Sequence, residues 1–318
     1  MNVLVTGASG FIGSRLCREV SKQDNTSVIG ISRSGKINIH DNMPAASGIE
    51  TIGCDLVSFE DTHNAIQSIS KKIDCIIHLA GLTFSRQQPP PGAPDYFKAN
   101  FVSTLNLLEC CRIFSIRAFA LSSSIAVYGL AAGQHTPQHL PVDEEHEAKP
   151  YELYDASKHQ AEQLCKYFQD RFGISIAILR YSRVYGPGQD KGIIYQAISK
   201  SLKNLPIEVR GDISTDFVHV DDVVQATIAA AQSLVKNNGS ASEKQIFNIG
   251  SGNETTLYDL SSTIVRLTGS SSKINYSKDP KGRFSLDISK ARKVLHYQPM
   301  SLEEGLIKSI QYSRNSLK

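Results

Sequence analysis

Tyr154 and Lys158 stand four residues apart in Tyr154-Asp155-Ala156-Ser157-Lys158, so on a helix they share one face. A phenol in that company can move a proton. Its unperturbed pKa is about 10, and a neighbouring ammonium favours the phenolate and lowers that value. Tyr154 is therefore expected to act as an acid/base, with Lys158 tuning it. A serine hydroxyl nearby would hold the substrate oxygen, and Ser124 closes an apolar run that ends in Ser122-Ser123-Ser124. A Tyr/Lys pair alone also occurs on exposed helix faces, so its meaning depends on what else the chain carries.

The second motif lies at the other end of the same half. Val3-Leu4-Val5-Thr6 is an apolar, strand-length run, and Gly7-x-x-Gly10-x-x-Gly13 follows it. Ile12, Leu16 and Val20 then recur at helical spacing. A strand, a tight glycine turn and a helix start make an anion site, because free N–H groups and the helix dipole point at one place. Gly7 would allow the turn, Gly10 a close approach to phosphates, and Gly13 close packing of helix and strand. A pyrophosphate-containing dinucleotide is the expected ligand.

These residues need a sheet and helices to position them. Apolar runs at Ser27–Ile31, Ile49–Gly53, Asp74–Leu79, Ala118–Leu121 and Ile174–Leu179 read as strands, and Phe59–Ile69 and Tyr154–Phe172 as helices. Pro94 opens a long helix expected to run to Phe114. Loops are expected over Ser34–Gly48, 82–93, Gly129–Pro150 and Asn237–Ser242. The alternation predicts an α/β fold: a doubly wound parallel sheet with helices on both faces. Ligands in such sheets sit beyond the carboxyl ends of the strands, where Gly7, Asp55, Gly81 and Ser124 all fall. After Arg180 the elements become shorter and mixed, with helices near 192–203, 222–235, 257–267 and 302–312 and strands near 207–210 and 245–249. We expect a dinucleotide-binding domain over 1–180 and a smaller, mainly substrate-binding part over 181–318, some of whose segments return to the first domain.

The bulk properties exclude several classes. The 318 residues are 41% hydrophobic and 20% charged, which fits a soluble globular chain. A net charge of +3 is too small to argue for nucleic acid or an anionic membrane. No secretory signal is visible, and the longest apolar runs are strand-sized. The six cysteines form no C-x-x-C pair, so free thiols in a reducing cytosol are expected, with no disulfide or metal site.

Taken in order, Gly7-x-x-Gly10-x-x-Gly13, Asp55-Leu56, His78-Leu79-Ala80-Gly81, Asn100, Ser122-Ser123-Ser124-Ile125-Ala126-Val127-Tyr128-Gly129, Tyr154-x-x-x-Lys158 and Arg180-Tyr181-Ser182-Arg183-Val184-Tyr185-Gly186-Pro187-Gly188 resemble the extended short-chain dehydrogenase/reductase family, in its nucleotide-sugar epimerase and dehydratase branch. Asp216-Phe217-Val218-His219-Val220-Asp221-Asp222 and Phe247-Asn248-Ile249-Gly250-Ser251-Gly252 extend the resemblance over nearly the whole chain. It implies a Rossmann-type fold, an NAD(P) cofactor, a nucleotide-sugar substrate and a homodimer. Ser124, Tyr154 and Lys158 would be catalytic. Gly7, Ser9, Gly10, Phe11, Ile12, Gly13, Ser32, Arg33, Asp55, Leu56, Leu79, Ala80, Gly81, Asn100, Tyr181 and Ser182 would surround the cofactor together with Tyr154 and Lys158. Thr83, Ser124, Ile125, Tyr154, Arg183, Arg210 and Arg283 would meet the substrate.

Three departures sharpen this. Dehydratases of the branch carry an Asp-Glu pair where this chain has Ile125-Ala126, which argues against water elimination. Sugar-nucleotide enzymes often place an arginine before the later Asp-Phe, where this chain has Thr215; Arg183, Arg210 and Arg283 are the candidate replacements. NAD-preferring members end the second strand with an acid, whereas this one ends in Ser32-Arg33, so NADP(H) is expected to be accepted and favoured. The expected activity is epimerisation of a nucleotide sugar at carbon 4. The alternatives are an NADPH-dependent 4-ketoreductase and a dinucleotide-binding redox sensor without turnover.

Overall fold

Val3, Leu4 and Val5 are fully buried in β1 (Asn2–Thr6), the strand that carries the glycine loop. The computed structural model describes residues 1–37, 49–83, 90–130, 137–236 and 245–316. Of the expected loops, that at 237–242 lies wholly outside these residues, and those at 34–48, 82–93 and 129–150 partly so. After β1 come α1 (Phe11–Ser21), β2 (Ser27–Ser32), β3 (Glu50–Gly53), α2 (Phe59–Gln67), β4 (Cys75–His78), α3 (Ala93–Phe97), a π-helical turn (Lys98–Val102), α4 (Ser103–Ile113), β5 (Ala118–Ser124), a 3₁₀ turn (Ile125–Tyr128), α5 (Leu153–Phe172) and β6 (Ser175–Tyr181). Then follow β7 (Arg183–Tyr185), α6 (Ile193–Leu202), β8 (Ile207–Thr215), β9 (Phe217–His219), α7 (Val220–Lys236), β10 (Gln245–Ile249), β11 (Thr255–Thr256), α8 (Leu257–Thr268), β12 (Ile274–Gly282), α9 (Ser289–Leu295) and α10 (Leu302–Ser316).

Seven strands form one parallel sheet in the order β10-β6-β5-β4-β1-β2-β3. The chain leaves β1 for β2 and β3 on one side, then crosses to β4 on the other. Thr6, the last residue of β1, pairs with Ile31 of β2 and His78 of β4. Strand order therefore reverses at β1, and the crevice of a doubly wound sheet opens beyond the ends of β1 and β4. The sheet and its helices enclose an apolar core that includes Leu4, Ile29, Ile76, Leu107, Phe119 and Ile178.

The chain forms two compact units. Unit 1 comprises Met1–Gly129, Glu147–Arg180 and Val224–Phe247; unit 2 comprises Leu130–His146, Tyr181–Val223 and Asn248–Lys318. The expected division at residue 180 is thus crossed twice. Leu130–His146 fall in unit 2, and Val224–Phe247 return to unit 1, where β10 extends the sheet beside β6. In unit 2, β11, β8 and β12 make a small sheet in that order, with β12 parallel and β11 antiparallel to β8. A separate core there includes Ile194, Ile198, Val209, Phe217, Leu260 and Leu306.

Two expectations need correction. The helix expected from Pro94 to Phe114 runs unbroken from Ala93 to Ile113 but is not α-helical throughout: a π-helical turn at Lys98–Val102 joins α3 to α4. Such turns widen a helix by one residue and often mark functional positions; this one holds Asn100. The short strand near 207–210 instead runs to Thr215, past Gly211. All six cysteines are buried and free. No described helix is long and apolar enough to cross a membrane.

One polar cluster is buried in unit 1. Arg180, at the end of β6, donates Nε to Glu162 Oε1 at 3.1 Å and a terminal nitrogen to Oε2 at 2.8 Å. Ser123 Oγ donates to Oε1 at 2.5 Å. The guanidinium lies over the Tyr128 ring, 4.7 Å from its centroid. The Glu162 and Arg180 side chains are 0% and 4% exposed. Breaking one partner of such a pair leaves an uncompensated buried charge and costs about 3–5 kcal/mol, whereas an apolar replacement of both costs far less. Glu162→Ala should therefore lower unfolding stability in denaturant by about that amount, and Glu162→Leu/Arg180→Met together by much less. A Glu162→Ala protein within about 1 kcal/mol of wild type would show that the pair does not hold α5 to the sheet.

Candidate active site

The glycine loop is built by backbone constraint. Gly7 has φ +68°, a conformation L side chains rarely adopt, and a Cβ on it would lie 2.7 Å from Ala80 N. A Cβ on Gly13 would drive into the Gly7 carbonyl oxygen. Gly13 thus packs the first turn of α1 onto the loop itself. Gly10 is the N-cap of α1 and offers no side-chain cap, and the first turn has no acid. The leading N–H groups of α1 are left for an anionic ligand, where the helix dipole favours negative charge.

A cleft of about 730 Å³ opens at this crevice, within the range of cofactor sites. Of the residues expected at the cofactor, Gly7, Ser9, Gly10, Ser32, Arg33, Asp55, Leu56, Leu79, Ala80 and Gly81 line it. Phe11, Ile12 and Gly13 form the first turn of α1 and do not. Asp95, Lys98 and Ser103 also line it. The sequence reading missed them. The uncapped helix start, the backbone contact at Gly7 and the cleft's size fit a dinucleotide.

Hydroxyls fix the cleft floor. Thr6 Oγ1 accepts from Ala80 N at 3.2 Å and lies 2.7 Å from His78 Nδ1. Ser103 Oγ donates to Ala99 O at 2.6 Å and faces His78 Nε2 at 3.3 Å. This network assigns the His78 proton to Nε2. Burial, reinforced by Lys158, holds His78 neutral, with a pKa pulled down to about 3.

At the next strand ends, β5 delivers Ser124 and α5 delivers Tyr154 and Lys158. Ser124 Oγ accepts from Ala126 N at 3.1 Å as the cap of the 3₁₀ turn. It is also hydrogen-bonded to the Tyr154 phenol. Lys158 Nζ donates to Ser122 O at 2.9 Å. Asn100 clamps these parts together. Its amide oxygen accepts from Leu82 N at 2.8 Å, and its amide nitrogen donates to Leu82 O at 3.0 Å and to Ser157 Oγ at 2.9 Å. Asn100 is 2% exposed and does not line the cleft. Gly81 joins the two halves of the site: it lines the cleft, and a Cβ on it would lie 3.4 Å from Lys158 Nζ and 2.6 Å from Asn100 Oδ1.

The expected effect of Lys158 on Tyr154 is corrected here. Burial dominates and pushes the phenol up to about 12, against the Ser124 hydrogen bond that favours the phenolate. The Lys158 ammonium is committed to the Ser122 carbonyl, and its own pKa falls to about 8, again through burial. At neutral pH the phenol keeps its proton. Taking a proton from substrate therefore needs added positive charge at the site, which an oxidised nicotinamide ring supplies when bound.

The other expected residues are more dispersed. Ile125 is 5% exposed within the 3₁₀ turn, and Thr83 is exposed. In unit 2, Tyr181 is buried, and Ser182 Oγ donates to Asp216 O at 2.6 Å. Arg183 Nε donates to Thr215 Oγ1 at 3.2 Å. Arg210 is exposed, and Arg283 Nε lies 2.5 Å from Glu254 Oε1.

A family model described as the NAD dependent epimerase/dehydratase family matches residues 3–250. The chain belongs to that family. A putative UDP-glucose 4-epimerase of Methanocaldococcus jannaschii is 32% identical over 326 residues, covering 99% of each chain. Among solved structures, the UDP-glucose 4-epimerase of Thermotoga maritima with UDP-glucose superposes with a TM-score of 0.84 at 26% identity, covering 100% of each chain. The UDP-glucuronic acid 4-epimerase of Bacillus cereus in complex with NAD gives a TM-score of 0.81 at 29% identity, again over 100% of each. The cofactor of this family member is a nicotinamide dinucleotide.

Two outcomes follow for this NAD-dependent enzyme. Tyr154→Phe keeps the ring and removes the proton, so turnover should fall roughly 10²–10⁴-fold while dinucleotide affinity is retained. Turnover within a few-fold of wild type would remove Tyr154 from proton transfer. Lys158→Met removes a cation whose folded pKa, about 8, lies below its ordinary 10.5. The unfolded chain binds more protons between those values, so wild-type stability rises with pH across that window. Lys158→Met should therefore melt above wild type at pH 7, with the gain shrinking between pH 8 and 10.5. A variant less stable than wild type at pH 7 would contradict the burial penalty.

Proposed function

We propose that this enzyme is a nucleotide-sugar 4-epimerase acting by reversible hydride transfer at carbon 4. The observation that carries the reading is Gly81, which borders both the dinucleotide cleft and the Lys158 ammonium beside a complete Ser124–Tyr154 pair. Ile125-Ala126, in place of two carboxylates, removes the groups water elimination would need. The two solved relatives named above, both UDP-sugar 4-epimerases, support the same reaction and a UDP-linked sugar as the substrate class.

A bound nicotinamide dinucleotide would supply the hydride acceptor and donor for carbon 4. Tyr154 takes the hydroxyl proton and later gives it back. Ser124 holds the reacting oxygen against the phenol during both steps. Lys158 binds the nicotinamide ribose, and its charge offsets the phenolate while Tyr154 is deprotonated. Thr83 and Ile125 are the further substrate contacts proposed in unit 1. The ketone turns over between the two transfers, so the hydrogen returns to the opposite face.

A one-way NADPH-dependent 4-ketoreductase uses the same residues, and one observation favours it. The end of β2 offers Ser32 and Arg33 to the cleft rather than an acid, a pairing suited to a 2′-phosphate. Ser32 Oγ donates its one proton to Lys36 O at 2.9 Å, which leaves Arg33 as the donor for a 2′-phosphate. The six buried thiols support a reducing cytoplasm as the compartment. A homodimer is proposed on the family resemblance.

Mass spectrometry of the dinucleotide released from purified protein separates the readings. Oxidised cofactor, tightly held, is the result expected of the epimerase; an empty site that takes up NADPH is the result expected of the reductase. Arg33→Ala should weaken NADPH roughly ten- to hundredfold and NADH little, followed by nicotinamide fluorescence. Equal losses for both would show that Arg33 does not read the 2′-phosphate.

A further inference from the structure

Tyr154 stands where a helix is least able to hold a side chain still. It is the second residue of α5, and Tyr151, Glu152 and Leu153 before it are all exposed. Helix ends fray, because their backbone groups lack intrahelical partners. The Ser124 hydrogen bond reaches only the phenol oxygen, so the ring needs a support of its own. Tyr96 supplies one. Its ring centroid lies 6.2 Å from that of Tyr154, with the planes tilted by 58°. Two aromatic rings favour such a tilted approach over face-to-face stacking. Tyr96, 5% exposed, is also the one buried residue of α3. Asp95 and Lys98, from the same stretch, line the cofactor cleft, whereas Tyr96 turns to α5.

The two rings meet about one helical turn before a second contact between the same segments. Asn100 follows Tyr96 by four residues and donates to Ser157 Oγ at 2.9 Å, and Ser157 follows Tyr154 by three. The Asn100 clamp fixes the spacing of the two segments, and Tyr96 is thereby held against the Tyr154 ring. Burial is the largest influence on the Tyr154 phenol, ahead of Ser124, Asp155 and Tyr96. Asp155 turns its carboxylate to the N–H groups of Tyr151 and Glu152, and Lys158 turns its ammonium to Ser122 O. We propose that Tyr96 is a positioning residue for the reaction: its ring backs the Tyr154 ring, aims the phenol at Ser124 and keeps water from it. This rests on the reading of Tyr154 as the proton-transfer group.

The test is NMR of the NAD-loaded enzyme labelled at tyrosine Cζ, a resonance that follows the ionisation of each phenol. The Tyr154 signal is the one missing from Tyr154→Phe. In Tyr96→Leu water reaches the phenol, and burial outweighs the Ser124 bond, so Tyr154 should ionise at a pH about one unit lower than in wild type. In Tyr96→Phe, which keeps the ring, the shift should be less than half of that. Turnover of UDP-glucose and UDP-glucuronic acid is the second readout. Tyr96→Leu should lower kcat roughly ten- to hundredfold with KM and NAD affinity within about threefold of wild type, and Tyr96→Phe should keep kcat within about threefold. An unmoved Tyr154 ionisation in Tyr96→Leu, a loss that falls on NAD affinity in place of kcat, or equal damage in the two variants would each overturn the positioning role. Tyr96→Met repeats the test if Tyr96→Leu does not fold, and failure of both to fold would make Tyr96 an anchor for α3 and overturn the proposal. Undiminished turnover in Tyr154→Phe would overturn the underlying reading of Tyr154. Failure of wild type to convert either sugar would count against the substrate reading alone, because the NMR titration needs no substrate and still decides the role of Tyr96.

Discussion

The Glu162 carboxylate is the constraint on which the rest of the site depends. It is wholly buried, and its oxygens accept from Ser123 at the end of β5 and from Arg180 at the end of β6. Ser123 precedes Ser124, and Glu162 follows Lys158 by one helical turn. Three elements are thus tied within one turn of the reacting groups. A buried charge tolerates little movement, because any partner lost leaves it uncompensated in low dielectric. Hydrophobic packing alone would let α5 slide or rotate on the sheet with small change in buried area. The ion pair fixes its register, and Tyr154 meets Ser124 as a consequence.

The reacting groups are held under electrostatic tension. Burial raises the Tyr154 phenol to about 12 and lowers the Lys158 ammonium to about 8, so both are pushed toward their neutral forms. Each is costly to ionise, and both are needed near neutrality. Active sites commonly accept such instability because the charge is used when ligand arrives. In unit 2, Arg183 is bonded to Thr215, and no described acid forms an ion pair with it. The neutral His78 is the opposite case, where two hydroxyls satisfy both ring nitrogens and no charge is needed.

Much of this was legible in the sequence because it depends on short-range rules. The glycine spacing fixed the loop at Gly7, the apolar runs located every strand of the large sheet, and i, i+4 spacing put Tyr154 and Lys158 on one helix face. What escaped depends on tertiary context. The π-helical turn at Lys98–Val102 leaves no mark in apolar periodicity, and it serves Asn100, whose partners Leu82 and Ser157 are distant in sequence. β12 is polar, contains Pro280 and owes its strand to β8. The expected lowering of the Tyr154 pKa is outweighed by burial, and spacing reveals neither that burial nor that Ser122 O holds the ammonium. Thr215 looked like a missing charge, and only the structure brings Arg183 to it.

The central claim is that the hydrogen on carbon 4 is removed and returned within one site while Tyr154 moves the hydroxyl proton. The most direct measurement uses a UDP-sugar carrying deuterium at carbon 4, incubated with purified enzyme and analysed by NMR after interconversion. The account predicts a product inverted at carbon 4 that retains its deuterium, with no net consumption of dinucleotide. Loss of the label to solvent, or conversion coupled one-for-one to oxidation or reduction of the dinucleotide, would contradict it.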